Sequence, residues 1–157
     1  MGVKTNAMRL LDKVKATYEV HTYNPKEAID GMEVAAALNE NPQQVFKTLV
    51  TVAKSGVNYV FMLPVCAELD LKKAAAAVGE KAISMLKNKE LLPLTGYIHG
   101  GCSPLGMKKV FLTVIDKSAE NYPTIIFSGG KRGLQIETAL DELQKTLVFK
   151  TEYILQE

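Results

Sequence analysis

Two runs rich in β-branched residues, Phe46–Ala53 and 57–65, flank the dipeptide Ser55-Gly56. Branched side chains sit well on a pleated strand, and a Ser-Gly pair gives the backbone the freedom a tight reversal needs. The pattern predicts a long β-hairpin. An isolated hairpin is at best marginally stable in water, so the rest of the chain has to extend and cover it.

The remaining segments supply that cover. Thr5 or Asn6 can cap a helix through about Ala16, with Ala7, Leu10, Leu11 and Val14 at helical spacing. Residues 19–23 alternate like a strand that ends at Pro25, and 32–39 form an Ala-rich helix stopped by Asn41-Pro42. Leu71–Val78 is a second Ala-rich helix between Asp70 and Gly79. A short strand over 82–85 and a short helix over 88–92 come next. Strands follow at 110–115, 124–127 and 134–136, with polar turn residues from Asp116 to Tyr122. Thr138 opens a helix whose Leu140, Leu143 and Leu147 share a face, and 150–155 is a final weak strand. Strands and helices alternate without a regular βαβ period, and no repeat or linker interrupts them. The expectation is one domain over 1–157: a mixed α/β fold whose mixed sheet curls into a partial barrel with helices outside.

Composition narrows the functional classes. Hydrophobic residues make up 47% and charged residues 23% of the 157, as in an ordinary globular protein. No apolar run in residues 1–11 resembles a signal peptide, and no stretch approaches a membrane span. The two cysteines, Cys66 and Cys102, form neither a CxxC motif nor a disulfide framework. These features point to a cytoplasmic chain with no membrane partner. A net charge of +2 permits a local phosphate contact but does not suit a protein that coats DNA or other long nucleic acid.

Lys47 stands out within the strand pattern. It shares a strand face with Val45 and Leu49, while Phe46 and Val50 lie on the other. It is either a lysine snorkelling from the strand end or a cation held in a pocket, fit to bind a carbonyl oxygen, a phosphate or a terminal ribose. The loop Gly100-Gly101-Cys102-Ser103-Pro104-Leu105-Gly106 is either an ordinary turn or a set of N–H groups able to receive the oxyanion of ester hydrolysis. The Gly-Lys-Ser/Thr ending of a nucleotide-binding loop is missing from it. Ser128-Gly129-Gly130-Lys131-Arg132-Gly133 is a charged hairpin tip or a phosphate contact, and Lys108-Lys109 reads the same way. His21 and His99 have no carboxylates at metal-ligand spacing, so no metal and no other cofactor is expected. A Gly-x-Ser-x-Gly elbow is absent, and a Cys102–His99 dyad would have to form within one short loop.

Taken in order, Phe46-Lys47-Thr48-Leu49, the Gly100 to Lys109 segment and the Ser128 to Leu134 segment resemble the YbaK/EbsC family of aminoacyl-tRNA deacylases. The resemblance covers nearly the whole chain. It implies trans-editing hydrolysis of Cys-tRNA(Pro), with the acceptor end of aminoacylated tRNA(Pro) as substrate and prolyl-tRNA synthetase as a candidate partner. It implies that Lys47 is the key polar residue of the pocket. It also implies that Gly100, Gly101, Cys102, Ser103 and Pro104 hold the aminoacyl ester. Tyr23, Ile29 and Ser128 match pocket positions, and Lys108, Lys109, Lys131 and Arg132 are candidate tRNA contacts. In the cysteine branch the resemblance suggests release as a thiolactone. Gln135 departs from the aspartate of some relatives, and an amide cannot serve as a base. Two alternatives stay open: a deacylase for Ala-tRNA(Pro) or another small aminoacyl-tRNA, and a non-catalytic tRNA- or synthetase-binding module.

Overall fold

The computed structural model describes residues 4–157; residues 1–3 of the N-terminal stretch considered above lie outside the described residues. Helix α1 (Asn6–Lys13) begins at Thr5, whose hydroxyl accepts the Met8 N–H at 3.3 Å and donates to the Gly129 carbonyl at 2.5 Å. It ends earlier than the expected Ala16. Lys15 turns left-handed at φ 57°, and the Ala16 N–H returns to the Leu11 carbonyl at 2.9 Å. Strand β1 (Glu19–Thr22) is followed by α2 (Gly31–Ala37), which opens on a reciprocal cap between Asp30 and Glu33.

The predicted hairpin is β2 (Phe46–Ala53) against β3 (Asn58–Pro64), in register from Phe46 opposite Pro64 to Val52 opposite Asn58. Gly56 makes the reversal possible at φ 91°. Helix α3 (Leu71–Val78) has the expected limits. Strand β4 (Ile83–Met85) pairs with β2, and α4 (Asn88–Thr95) follows. Helix α4 runs beyond the expected 92, straight through Pro93. A proline so near the helix end forfeits a single hydrogen bond, and the Gly96 N–H still closes on the Leu92 carbonyl at 2.8 Å.

Strand β5 (Thr113–Asp116) starts later than the expected 110, because Val110 is 95% exposed and pairs with nothing in the sheet. A 3-10 turn at Lys117–Asn121 leads to β6 (Ile125–Ser128) and β7 (Leu134–Thr138). Thr138 does not open a helix. It ends β7 opposite Ile125, and its hydroxyl donates to the Thr17 carbonyl at 2.7 Å. Helix α5 is accordingly only Leu140–Leu143, although Leu140, Leu143 and Leu147 do pack on one core. The chain finishes with β8 (Phe149–Glu152).

The strands form two sheets. One is five-stranded, β4-β2-β3-β5-β8, with parallel pairing of β3 to β5 and of β5 to β8. The other is antiparallel, β1-β7-β6. Val45 bridges to Ile126 between them; the Gln44 carbonyl accepts the Ile126 N–H at 3.1 Å and the Val45 carbonyl accepts the Val65 N–H at 2.8 Å. The curled mixed sheet of the sequence reading is thus two sheets joined at a narrow seam. Phe46, Met62 and Ile115 of the larger sheet meet Ile125, Phe127 and Ile136 of the smaller in one core, closed by Ala7 and Leu11 of α1. Each large apolar side chain buried there contributes about 1.5–3 kcal/mol. The opposite face of the larger sheet packs Phe61, Leu63 and Val114 against Ala74 and Ala75 of α3. No helix of the described residues is long and apolar enough to cross a membrane.

Candidate active site

A cavity of about 410 Å³ opens at the seam, within the size range of small-ligand sites. Of the residues singled out in the sequence, Tyr23, Ile29, Lys47, Gly100, Cys102, Ser128 and Gln135 all line it. They arrive from five places: the end of β1, the segment leading into α2, the start of β2, the loop before β5 and the β6–β7 hairpin. Lys47 is the one lysine or arginine in the lining. Its side chain is 28% exposed, and its ammonium lies 4.0 Å from a carboxylate oxygen of Glu68, itself 77% exposed. An ion pair so open to water is worth little, so Lys47 can exchange it for a ligand oxygen.

The glycine loop is held in place by the neighbouring hairpin. Gly100 adopts φ 86°, and a side chain at Gly101 would press on the Lys131 and Arg132 backbone at 3.1 Å. Arg132 Nε donates to the His99 carbonyl at 2.9 Å, so this cation ties two loops together while staying exposed. The Gly101 N–H donates to the Ile98 carbonyl at 3.0 Å. Among the described residues, the Gly100 and Cys102 N–H groups have no protein acceptor. Gly100 and Cys102 both line the cavity. Gly101, Ser103 and Pro104 are buried behind the lining, and the Ser103 hydroxyl accepts the Leu105 N–H at 3.3 Å. Lys108, Lys109 and Lys131 are exposed, with Lys108 Nζ reaching the Pro93 carbonyl at 3.4 Å.

Two buried polar atoms in the cavity wall lack partners: Thr48 Oγ1 and Gln135 Oε1. Leaving such an atom unpaired costs about 1–3 kcal/mol. Thr48 belongs to the Phe46-Lys47-Thr48-Leu49 motif, but its strand neighbours in sequence reveal nothing of its hydroxyl's surroundings. Behind Gln135 lies a polar cluster. His21 Nε2 and Glu137 Oε1 are 2.7 Å apart, and Thr124 Oγ1 donates to Glu137 Oε2 at 2.5 Å. Burial alone would raise the Glu137 carboxyl, but the bonds from Thr124 and His21 outweigh it and hold Glu137 below the usual carboxylate range. Glu19, His21 and Glu137 converge within 4.8 Å, which corrects the reading that no carboxylates accompany the histidines. Strand pairing of β1 with β7 brings Glu137 to His21 across 116 residues, a distance at which spacing carries no signal. Both Glu137 oxygens are already engaged by His21 and Thr124.

The family model of the aminoacyl-tRNA editing domain matches residues 26–146, more than half of the chain. The chain belongs to the aminoacyl-tRNA editing domain family. A relative from Enterococcus faecalis, EbsC, named as a Cys-tRNA(Pro)/Cys-tRNA(Cys) deacylase, is 45% identical over 137 residues, covering 87% of this chain and 84% of its own. A crystal structure named as a trans-editing enzyme for prolyl-tRNA synthetase superimposes with TM-score 0.83 at 22% identity, covering 99% of this chain and 100% of that one. That of a hypothetical protein gives TM-score 0.86 at 20% identity, covering 97% and 100%. Both share the fold.

Within this editing domain Cys102 is the one side chain of the lining with a nucleophilic sulfur, and burial pushes its thiol up to about 12. At neutral pH essentially no thiolate exists there, so an attacking cysteine is disfavoured. Cys102→Ser should therefore retain turnover within about tenfold in a deacylation assay. A loss on the order of 10⁴-fold or more, as follows removal of a true nucleophile, would reinstate the thiol mechanism.

Proposed function

We propose that this chain is a cytoplasmic trans-editing deacylase that hydrolyses Cys-tRNA(Pro). The observation that carries this reading is a cavity holding a single cation, two unpartnered polar atoms and two free amides, but no activated protein nucleophile. Such a cavity binds and polarises an ester; it does not attack one. The name of the EbsC relative and the trans-editing structure support the same substrate class. Lys47 anchors the terminal adenosine or its phosphate at the cavity rim. The Gly100 and Cys102 amides receive the ester oxygen as it gains charge.

The nucleophile is the substrate's own thiol. Its sulfur bonds to the carbonyl carbon, the bond from that carbon to the ribose oxygen breaks, and the thiol proton ends on that oxygen. The products are free tRNA and a cysteine thiolactone, which water opens in solution. Selection of tRNA(Pro) rests with a partner, since a net charge of +2 allows only a small acceptor-end footprint. Prolyl-tRNA synthetase is that partner.

A deacylation panel over Cys-, Ala-, Ser- and Pro-tRNA, with and without prolyl-tRNA synthetase, tests the whole reading. Cys-tRNA should be cleaved fastest, with trapped thiolactone, and the synthetase should sharpen the preference for tRNA(Pro). Because a methylene is worth only about 1–3 kcal/mol in an apolar pocket, the amino acid choice is the exposed part of the proposal. Rapid Ala-tRNA(Pro) cleavage with Cys-tRNA spared would replace the substrate. Salt-dependent tRNA binding without turnover would make the chain a binding module.

A further inference from the structure

A second group of polar side chains, outside the cavity lining, sits at the edge of the smaller sheet. Strand pairing sets Glu19 of β1 directly opposite Glu137 of β7, and His21, two residues along β1, shares their face. One ligand atom from each of Glu19, His21 and Glu137 lies within 4.8 Å of the others. Like charges directly opposite on a sheet repel. Among the described residues, no lysine or arginine forms an ion pair with either carboxylate. A third carboxyl is carried over the same face. The Glu40 N–H donates to the Ala35 carbonyl at 2.8 Å, Ala35 shares a small core with Ile126, and Ile126 is the cross-strand partner of Glu137. Glu40 Oε1 is buried without a partner.

We propose that Glu19, His21 and Glu137 bind a divalent transition-metal ion of the zinc class. Three protein ligands of imidazole and carboxylate type, with water in the fourth position, suit zinc. The imidazole disfavours magnesium and calcium, which take oxygen ligands. A tetrahedral ion with bonds of about 2.0–2.2 Å spaces its ligand atoms by roughly 3.4 Å. His21 Nε2 and Glu137 Oε1 are 2.7 Å apart around a shared proton. They open slightly as the ion takes that proton's place and the proton leaves to solvent. The exposed Glu19 carboxylate turns in to complete the set. The Thr124 hydroxyl goes on donating to Glu137 Oε2 at 2.5 Å, a bond of the kind that fixes a ligating carboxylate from behind. Strand β1 is the edge of its sheet, and the ion staples it to β7. Gln135, the cross-strand partner of His21, and Tyr23, two residues further along, both line the cavity, so the staple steadies one cavity wall. Metal binding here is independent of the deacylase reading.

Zinc chloride titrated into the metal-stripped whole chain should give one binding event per chain by calorimetry. At a concentration about a hundredfold above Kd it should raise the melting temperature by roughly 5–10 °C. Magnesium chloride should not. Glu19→Gln and His21→Ala should each weaken zinc binding by more than about tenfold, at least the loss seen when a group behind a ligand is changed. Glu19 is exposed, so its variant keeps the test decisive even if His21→Ala disturbs the fold. Cys66→Ser, which removes the exposed thiol, should bind as tightly as wild type. Unchanged affinity in both Glu19→Gln and His21→Ala, or lost binding in Cys66→Ser, would put the ion elsewhere and overturn the proposal. So would an equal rise with magnesium, or neither heat nor a rise with zinc.

Discussion

Lys47→Ala should lower deacylation of Cys-tRNA by about 10²-fold or more, the scale of loss when the group that holds the reacting end of a substrate in place is removed. The fold should survive. Lys47 faces Leu63 across the hairpin, its ammonium is engaged only by the exposed Glu68, and truncation empties solvent-accessible space at the cavity rim. Circular dichroism and the melting temperature should be close to wild type while single-turnover rates collapse. The Glu68→Ala variant serves as the internal comparison, because an exposed pair at this distance contributes about 0–1 kcal/mol. A Lys47→Ala protein with full activity would remove the lysine from the mechanism. A protein that failed to fold would show that the lysine's stem, not its charge, matters.

The second large effect belongs to Gly31, the first residue of α2. By helix propensity alone, Gly31→Ala should stabilise the protein by up to about 1 kcal/mol. Packing reverses the sign. An added Cβ would sit 2.8 Å from Val65 Cβ and closer still to Val65 Cγ1, and Val65 is itself buried at 8% exposure. Overpacking of this kind costs about 1–3 kcal/mol, or a fall of roughly 3–10 °C in melting temperature for a domain this size. Both residues line the cavity, so KM should rise as well. The Gly31→Ala/Val65→Ala double variant should be more stable than the sum of the single changes, since the second removes the methyls that the first strikes. A Gly31→Ala variant at least as stable as wild type would mean that α2 can shift outward at no cost.

How much of this was legible depended on the range of the interaction involved. The β2–β3 hairpin and α3 were read to within a residue or so because β-branching, the Ser55-Gly56 turn and the Asp70 and Gly79 caps are local. Val110 misled because apolar, β-branched character marks a strand only where a partner exists, and none pairs there. Thr138 has the look of a helix cap, yet pairing with Ile125 claims it for a strand. At the site, the family resemblance gathered Tyr23, Lys47, Gly100 and Gln135, and they do share one cavity. Two details escaped. The Gly101 amide is spent on Ile98, and Thr48 Oγ1 is left bare. Each depends on where a single polar atom ends up after the two sheets meet, which residue type and spacing do not encode.

The join between the sheets has a mechanical corollary. Val45 is the residue through which the smaller sheet hangs on the larger, and Lys47 follows it two positions later. Were the sheets to part there, the Ser128 and Gln135 wall would move away from the lysine while each sheet kept its own ladder. Catalysis should accordingly be the first property to fail on warming. The Ile126 amide, which lies at that join, should exchange its hydrogen faster than its strand neighbours well below the global melting point.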